Sequence, residues 1–205
     1  MEPNQKYGVL PSDEVVNKVA LALENNGIKT FIVRDAAEAE KKLLELIPPG
    51  AEVMNMTSMT LEAIGAVKEI TESGRYDSVR KKFMSMDAKT DGKKMKMMGA
   101  APDWAVGSAN AVTEDGRIIS VSATGSQLPA YAYGAGNVIW VVGAQKFVKD
   151  LNEGMDRIQE YVFPLENERA KKTYGRESSI NKILIVNKDV PSRTTMIIVR
   201  EKLGF

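Results

Sequence analysis

The sequence predicts an α/β fold: a mostly parallel sheet flanked by helices, with a small antiparallel hairpin part. Three observations carry this. Short β-rich runs alternate with amphipathic helical stretches along most of the chain, the pattern of strands joined by crossover helices. Residues 137–142 (Asn-Val-Ile-Trp-Val-Val) are apolar almost throughout instead of alternating, as in a strand buried on both faces. Asp115-Gly116 stands between two β-rich runs, a hairpin turn signal. With 205 residues, one domain spanning 1–205 is expected, large enough to need no covalent staple.

The elements follow in order. Ser12 caps a first helix whose opening turn holds Asp13 and Glu14 and whose Val15, Val16, Val19, Ala20 and Leu23 recur at helical spacing; Asn26-Gly27 ends it. Residues 29–34 form a strand. Asp35-Ala36-Ala37-Glu38 has the form of a capping box and starts a helix reaching Ile47, stopped by Pro48-Pro49-Gly50. Residues 52–56 are the next strand, and Thr57-Ser58-Met59-Thr60 opens a helix carrying Leu61, Ile64 and Val67. Residues 75–100, rich in Lys, Arg and Met, hold helix near 76–86 and again beyond Gly92. Residues 104–106 are a third strand, and 117–122 return after Asp115-Gly116. Thr124-Gly125-Ser126 opens another helix, 137–142 is the central strand, and helices run to about 162 and from 164 to 173. Two last β-rich runs, 182–187 and 194–200, read as a hairpin.

Composition restricts the chemistry. The chain has no cysteine, so it builds no disulfide, iron–sulfur cluster or thiolate zinc site by itself. It has no histidine, which removes imidazole bases, Ser-His-Asp triads and imidazole metal ligands; acid–base work falls to Asp, Glu, Lys or Tyr. No metal site is expected and no intrinsic cofactor. Twenty-eight Lys and Arg against 27 Asp and Glu lack the basic excess of a nucleic-acid binder. No apolar run reaches membrane-spanning length and the polar start lacks a signal-peptide core, so a cytoplasmic protein without a membrane partner is expected.

In an open parallel sheet, ligands bind beyond the carboxyl ends of the strands. Four polar loops fall there: Thr57, Ser58 and Thr60; Gly107, Ser108 and Asn110; Thr124, Gly125, Ser126 and Gln127; and Lys146 in Gly143-Ala144-Gln145-Lys146. Hydroxyls, backbone N–H groups and a lysine on one edge suit a small anionic metabolite. Each loop has a second reading beside this one: Ser and Thr cap helices, Gly makes turns, Lys146 begins a solvent-facing helix, and Asn110 holds its own turn. Glu114 is the one carboxylate offered as nucleophile or acid–base group, against its reading as a solvated turn residue. Met84, Met86, Met95, Met97 and Met98 read as core filler or an adaptable contact surface.

The run Asp103-Trp104-Ala105-Val106-Gly107-Ser108-Ala109-Asn110-Ala111-Val112-Thr113-Glu114-Asp115-Gly116, then Ser122-Ala123-Thr124-Gly125-Ser126-Gln127, then Val142-Gly143-Ala144-Gln145-Lys146, resembles the LUD (lactate-utilisation) domain family, including its protein C group. Residues 56–62 and the C-terminal Ile-Ile-Val strand before Glu201-Lys202-Leu203-Gly204-Phe205 agree, so the resemblance covers about residues 10–205. It implies the Rossmann-like fold of sugar-phosphate isomerases and CoA transferases, enzymes that bind phosphorylated sugars or acyl-CoA at these strand ends. It also implies a link to bacterial oxidation of L-lactate to pyruvate beside iron–sulfur partner proteins, which would supply the only cluster. Where some members carry a glycine before the Ser-Thr helix start, this sequence has Met56-Thr57, and Glu114 has no secure match to the CoA-transferase glutamate. Three functions are therefore open: an accessory component of organic-acid utilisation binding a small anion or a partner subunit, a stand-alone enzyme on a phosphorylated sugar or acyl-CoA, and a regulatory ligand sensor. A homodimer is compatible with the fold class.

Overall fold

Apolar alternation along two adjacent strands decides the architecture. In β7 (Asn137–Gly143), Val138, Trp140 and Val142 pack into one core while Ile139 and Val141 pack into another. In β10 (Thr194–Val199), Met196 and Ile198 join the first core and Ile197 and Val199 the second. Strands apolar on both faces need cover on both faces, which helices supply. The computed structural model describes residues 2–205.

The main sheet has six parallel strands in the order β1 (Lys29–Val33), β10, β7, β4 (Trp104–Gly107), β2 (Glu52–Asn55) and β3 (Asp77–Ser78). One face carries α1 (Asp13–Asn25) through Val16, Val19, Ala20 and Leu23. The other carries α2 (Ala36–Leu46) through Ala39 and Leu43, with α3 (Met59–Ala63) through Leu61 and α4 (Ala66–Glu72) through Ile70. The expected caps form: the Ser12 hydroxyl accepts from the Val15 N–H and the Asp35 carboxylate from that of Glu38. The helix expected after residue 56 is split, because Gly65 adopts φ +79° between α3 and α4. Residues 75–100 hold two short helices, α5 (Val79–Phe83) and α6 (Gly92–Ala100).

A smaller mixed sheet stands against the carboxyl end, ordered β8 (Phe147–Val148), β5 (Ala111–Thr113), β6 (Ile118–Ser122) and β9 (Lys182–Val186). The Asp115-Gly116 hairpin is its β5–β6 turn. The two last β-rich runs do not form the hairpin expected of them. β9 pairs antiparallel with β6, while β10 enters the main sheet between β1 and β7. The reason is burial: β10 is buried along most of its length and β9 is largely exposed, so they belong to different environments.

Two further expectations change. Thr124-Gly125-Ser126 makes a turn, and the helical segment behind it is a short π-turn at Ala130–Gly134. Gly143 leads into a single 3-10 turn, Ala144–Lys146, not a solvent-facing helix. The chain then runs through α7 (Leu151–Arg157), a π-turn (Ile158–Val162) and α8 (Phe163–Tyr174) without a break. Ile158, Tyr161 and Val162 close a third core with Ala111, Ile119 and Val148 of the smaller sheet. Of the five methionines in the basic segment, Met84 and Met97 are exposed and Met98 packs against the core. No helix among the described residues is long and apolar enough to cross a membrane.

Candidate functional site

The two sheets meet at the carboxyl ends of β2 and β4, and the space between them is a cleft of about 450 Å³. That lies within the range of small-molecule sites. Its floor comes from the loops after β2, β4 and β7. One wall is β6 with the turn after it, and the other is α8 with the loop to β9.

The floor is built around one lysine. Lys146 is 1% exposed. Its Nζ donates to Thr60 Oγ1 at 3.0 Å, Ser108 Oγ at 3.1 Å and the Ala109 carbonyl at 3.2 Å. Thr60, itself buried, donates its hydroxyl to the Leu203 carbonyl at 3.1 Å. Ser58 is spent as the cap of α3, accepting from the Leu61 N–H. Thr57 accepts from Arg80, whose Nε also holds the Asn55 carbonyl at 3.0 Å.

A second cation lies alongside. Arg157 is fully buried, and donates to the carbonyl of Asn110, the residue next to the Ala109 carbonyl held by Lys146. Its Nε and remaining terminal nitrogen have no hydrogen-bond partner among the described residues, and its guanidinium lies 5.3 Å from the Tyr161 ring centre. No described carboxylate is within ion-pair distance of Lys146 or Arg157. Burial, and then the field of Arg157, therefore pushes the Lys146 amine well below its usual proton affinity, and burial lowers Arg157 to about 10. At neutral pH Arg157 stays charged, and Lys146 gives up its proton more readily than an exposed lysine does.

Of the residues singled out from sequence, Thr57, Ser58, Thr60, Ser108, Asn110, Thr124, Ser126, Gln127 and Lys146 line this cleft. Asn110 holds its turn, its Oδ1 accepting from the Val121 N–H at 2.8 Å. Thr124 and Ser126 bond to each other at the mouth. Gly107 and Gly125 shape their loops without lining the cavity. Glu114 is not brought to the site: it sits at the β5–β6 turn, where its carboxylate pairs with Lys18 at 2.6 Å. The hairpin that made it a candidate carries it away from the strand ends. No cluster of three or more acidic side chains among the described residues is placed to hold a metal ion.

The sequence reading missed Arg157 and the outer wall, where Glu166 and Arg169 pair through two 2.7 Å contacts beside Tyr174 and Arg176. A signal for Arg157 existed. It stands in the helical stripe of Gly154, Ile158 and Tyr161, where an arginine on an apolar face is unusual.

Gly107 has a packing role directly before Ser108 in the chain. A Cβ there would fall onto the Tyr131 hydroxyl. Tyr131 is buried, which holds its phenol above the usual range against a smaller opposing effect of the Ser108 backbone N–H directed at it. Gly107→Ala is expected to cost about 1–3 kcal/mol by overpacking, measured by urea unfolding, and to displace Ser108. An alanine variant as stable as the wild type would show that Tyr131 yields freely.

The LUD domain family model matches residues 16–201. Among solved structures, the chain is similar to a DUF162 family protein from Deinococcus radiodurans, at 15% identity and a TM-score of 0.58, covering 93% of this chain and 99% of that one. It also matches a D-ribose-5-phosphate isomerase in complex with phospho-erythronic acid, at 14% identity and a TM-score of 0.40, over 83% of this chain and 97% of that one. No curated protein matches the chain.

Proposed function

This chain belongs to the LUD domain family, and from that premise we propose that it binds a small anionic metabolite in the Lys146 cleft as an accessory component of organic-acid, and specifically L-lactate, utilisation. One observation carries the reading: the charged Arg157 and the amine of Lys146, both buried, lie side by side beneath an open cleft with no carboxylate beside them, and an anion there would hold the Lys146 proton in place. A lone buried charge is costly, and an anion entering the cleft offsets that cost. The hydroxyls of Ser108, Thr124 and Ser126 supply neutral donors for its oxygens. With no cysteine or histidine in the chain, electrons from lactate would pass to a separate iron–sulfur protein, which is the partner this role requires.

A thermal-shift series with L-lactate, pyruvate, inorganic phosphate, sugar phosphates and acyl-CoA tests it. A ligand at about a hundred times its Kd adds roughly 2.7 kcal/mol, or about 5–10 °C for a chain of this size. A shift confined to lactate or pyruvate supports the organic-acid role. A shift confined to sugar phosphates or acyl-CoA favours the second reading, an enzyme on those substrates, for which the depressed Lys146 amine speaks. Absence of any shift, together with no complex with iron–sulfur proteins, would defeat the proposal.

A further inference from the structure

We propose that Ser108 and Lys146 form a nucleophile–base pair that hydrolyses an ester or thioester of a small carboxylic acid through an acyl-serine; this rests on the cleft being the functional site.

The argument is a count of hydrogen bonds. An ammonium has three N–H donors, and Lys146 faces three oxygens: Thr60 Oγ1, Ser108 Oγ and the Ala109 carbonyl. A free amine has two N–H donors and one lone pair, so one of the three contacts must reverse. The Ala109 carbonyl has no proton to give. The Thr60 proton is directed at the Leu203 carbonyl. The Ser108 proton has only the Ala109 carbonyl at a long 3.4 Å, so it is this hydroxyl that turns, over the same 3.1 Å, to donate to the lysine lone pair. The neutral state that burial beside Arg157 favours is therefore the state in which lysine takes up the serine proton. The environment that makes Lys146 a poor cation makes it a usable base.

Ser108 is held for this role. Its backbone is packed against Tyr131 with no room for a side chain on Gly107, and Asn110 ties the following turn to Val121. Ser108 is half-buried and lines the cleft, so an acyl group can reach Oγ. Among the described serines that line the cleft, Ser108 is the one bonded to a lysine side chain: Ser58 and Ser122 bond backbone N–H groups, and Ser126 bonds Thr124.

The chemistry balances with water as the only co-reactant. Ser108 Oγ bonds to the acyl carbon as its proton moves to Lys146 Nζ. The tetrahedral intermediate collapses, the carbon–oxygen or carbon–sulfur bond breaks, and Nζ returns the proton to the leaving alkoxide or thiolate. A water molecule then attacks the acyl-serine, giving a proton to Nζ. The acyl–Oγ bond breaks, Oγ recovers the proton, and a carboxylic acid departs.

The test treats the full chain with a fluorophosphonate probe and maps the adduct by mass spectrometry, beside turnover of p-nitrophenyl butyrate. A single phosphonyl group on Ser108 is expected, forming faster as pH rises, with an apparent pKa below the usual lysine value of 10.5. Ser108→Ala is expected to abolish labelling and lower ester turnover at least about a hundredfold, with its melting temperature unchanged. Lys146→Met is expected to do the same while Ser108 remains. A folded wild-type protein that takes no label, or takes it elsewhere, would overturn the pair, as would Ser108→Ala with undiminished turnover. The two ideas fail separately. An anion-induced thermal shift without Ser108 labelling sinks the pair and leaves metabolite binding. Labelling with no such shift and no complex with iron–sulfur proteins sinks the metabolite role and leaves the pair.

Discussion

Lys146→Met is expected to remove anion binding while leaving the protein at least as thermostable as the wild type. Contact between a buried charge and its counterion is worth about 2–5 kcal/mol, so affinity for the ligand found by thermal shift should fall by roughly thirtyfold or more in calorimetric titration. Most buried polar substitutions destabilise because they leave partners unsatisfied. Here Thr60 keeps the Leu203 carbonyl as its acceptor, and Ser108 has the Ala109 carbonyl at 3.4 Å. Methionine also fills most of the space that the lysine stem occupied.

The pH dependence separates this from simple repacking. The folded chain holds the Lys146 proton less tightly than the unfolded chain does, because of burial first and Arg157 second. The unfolded state therefore binds more protons at this residue. Stability contributed here rises with pH, from the depressed folded value up to the usual 10.5. Methionine has no such proton. Its stability advantage should be widest at low pH and narrow as pH approaches 10.5. Urea midpoints for both proteins across that range measure it. A gap that stays constant would mean that Lys146 titrates normally, and that the cleft is better hydrated than its geometry implies.

Trp140→Ala is expected to give the largest loss of stability, about 3–5 kcal/mol, which is roughly 6–20 °C in melting temperature. Trp140 is 1% exposed at the centre of the main sheet, level with Gly107 on one side and Met196 on the other. Its ring centre lies 3.9 Å from that of Tyr131 at a 33° tilt. Truncation leaves a large cavity and removes the surface that holds Tyr131 against Gly107 and Ser108. Anion affinity should fall as well, although Trp140 touches no part of the cleft. Trp140→Phe should recover most of the stability. A loss under about 1 kcal/mol would mean that the neighbouring side chains collapse into the space.

Much of this molecule was legible in its residues. Ser12 and Asp35 cap the helices they were expected to cap, because capping is a local matter of a side-chain oxygen and an N–H three residues on. The run 137–142 is a central strand because its apolar side chains leave no face for water. Nine of the eleven residues named for ligand binding line one cleft, since parallel strands bring their carboxyl-end loops to a common edge. The misreadings are also physical. Residues 182–187 and 194–200 are both β-rich and close in sequence, which looks like a hairpin, yet they differ in how deeply they must be buried and so joined separate sheets. Glu114 has the chemistry of a catalytic group, and its hairpin points it toward Lys18.

The α/β class, the helix caps, the family and the absence of thiol and imidazole chemistry follow from the residues alone, because each depends on residue identity or on near neighbours along the chain. The character of Lys146, by contrast, arises on folding. Gln145 and Phe147 beside it carry no sign of its burial. Its surroundings come from Thr60, 86 residues away, from Ser108, 38 residues away, and from the nearby guanidinium of Arg157. A proton affinity is set by solvent and charge within a few ångströms, and the chain brings those atoms together only when it folds.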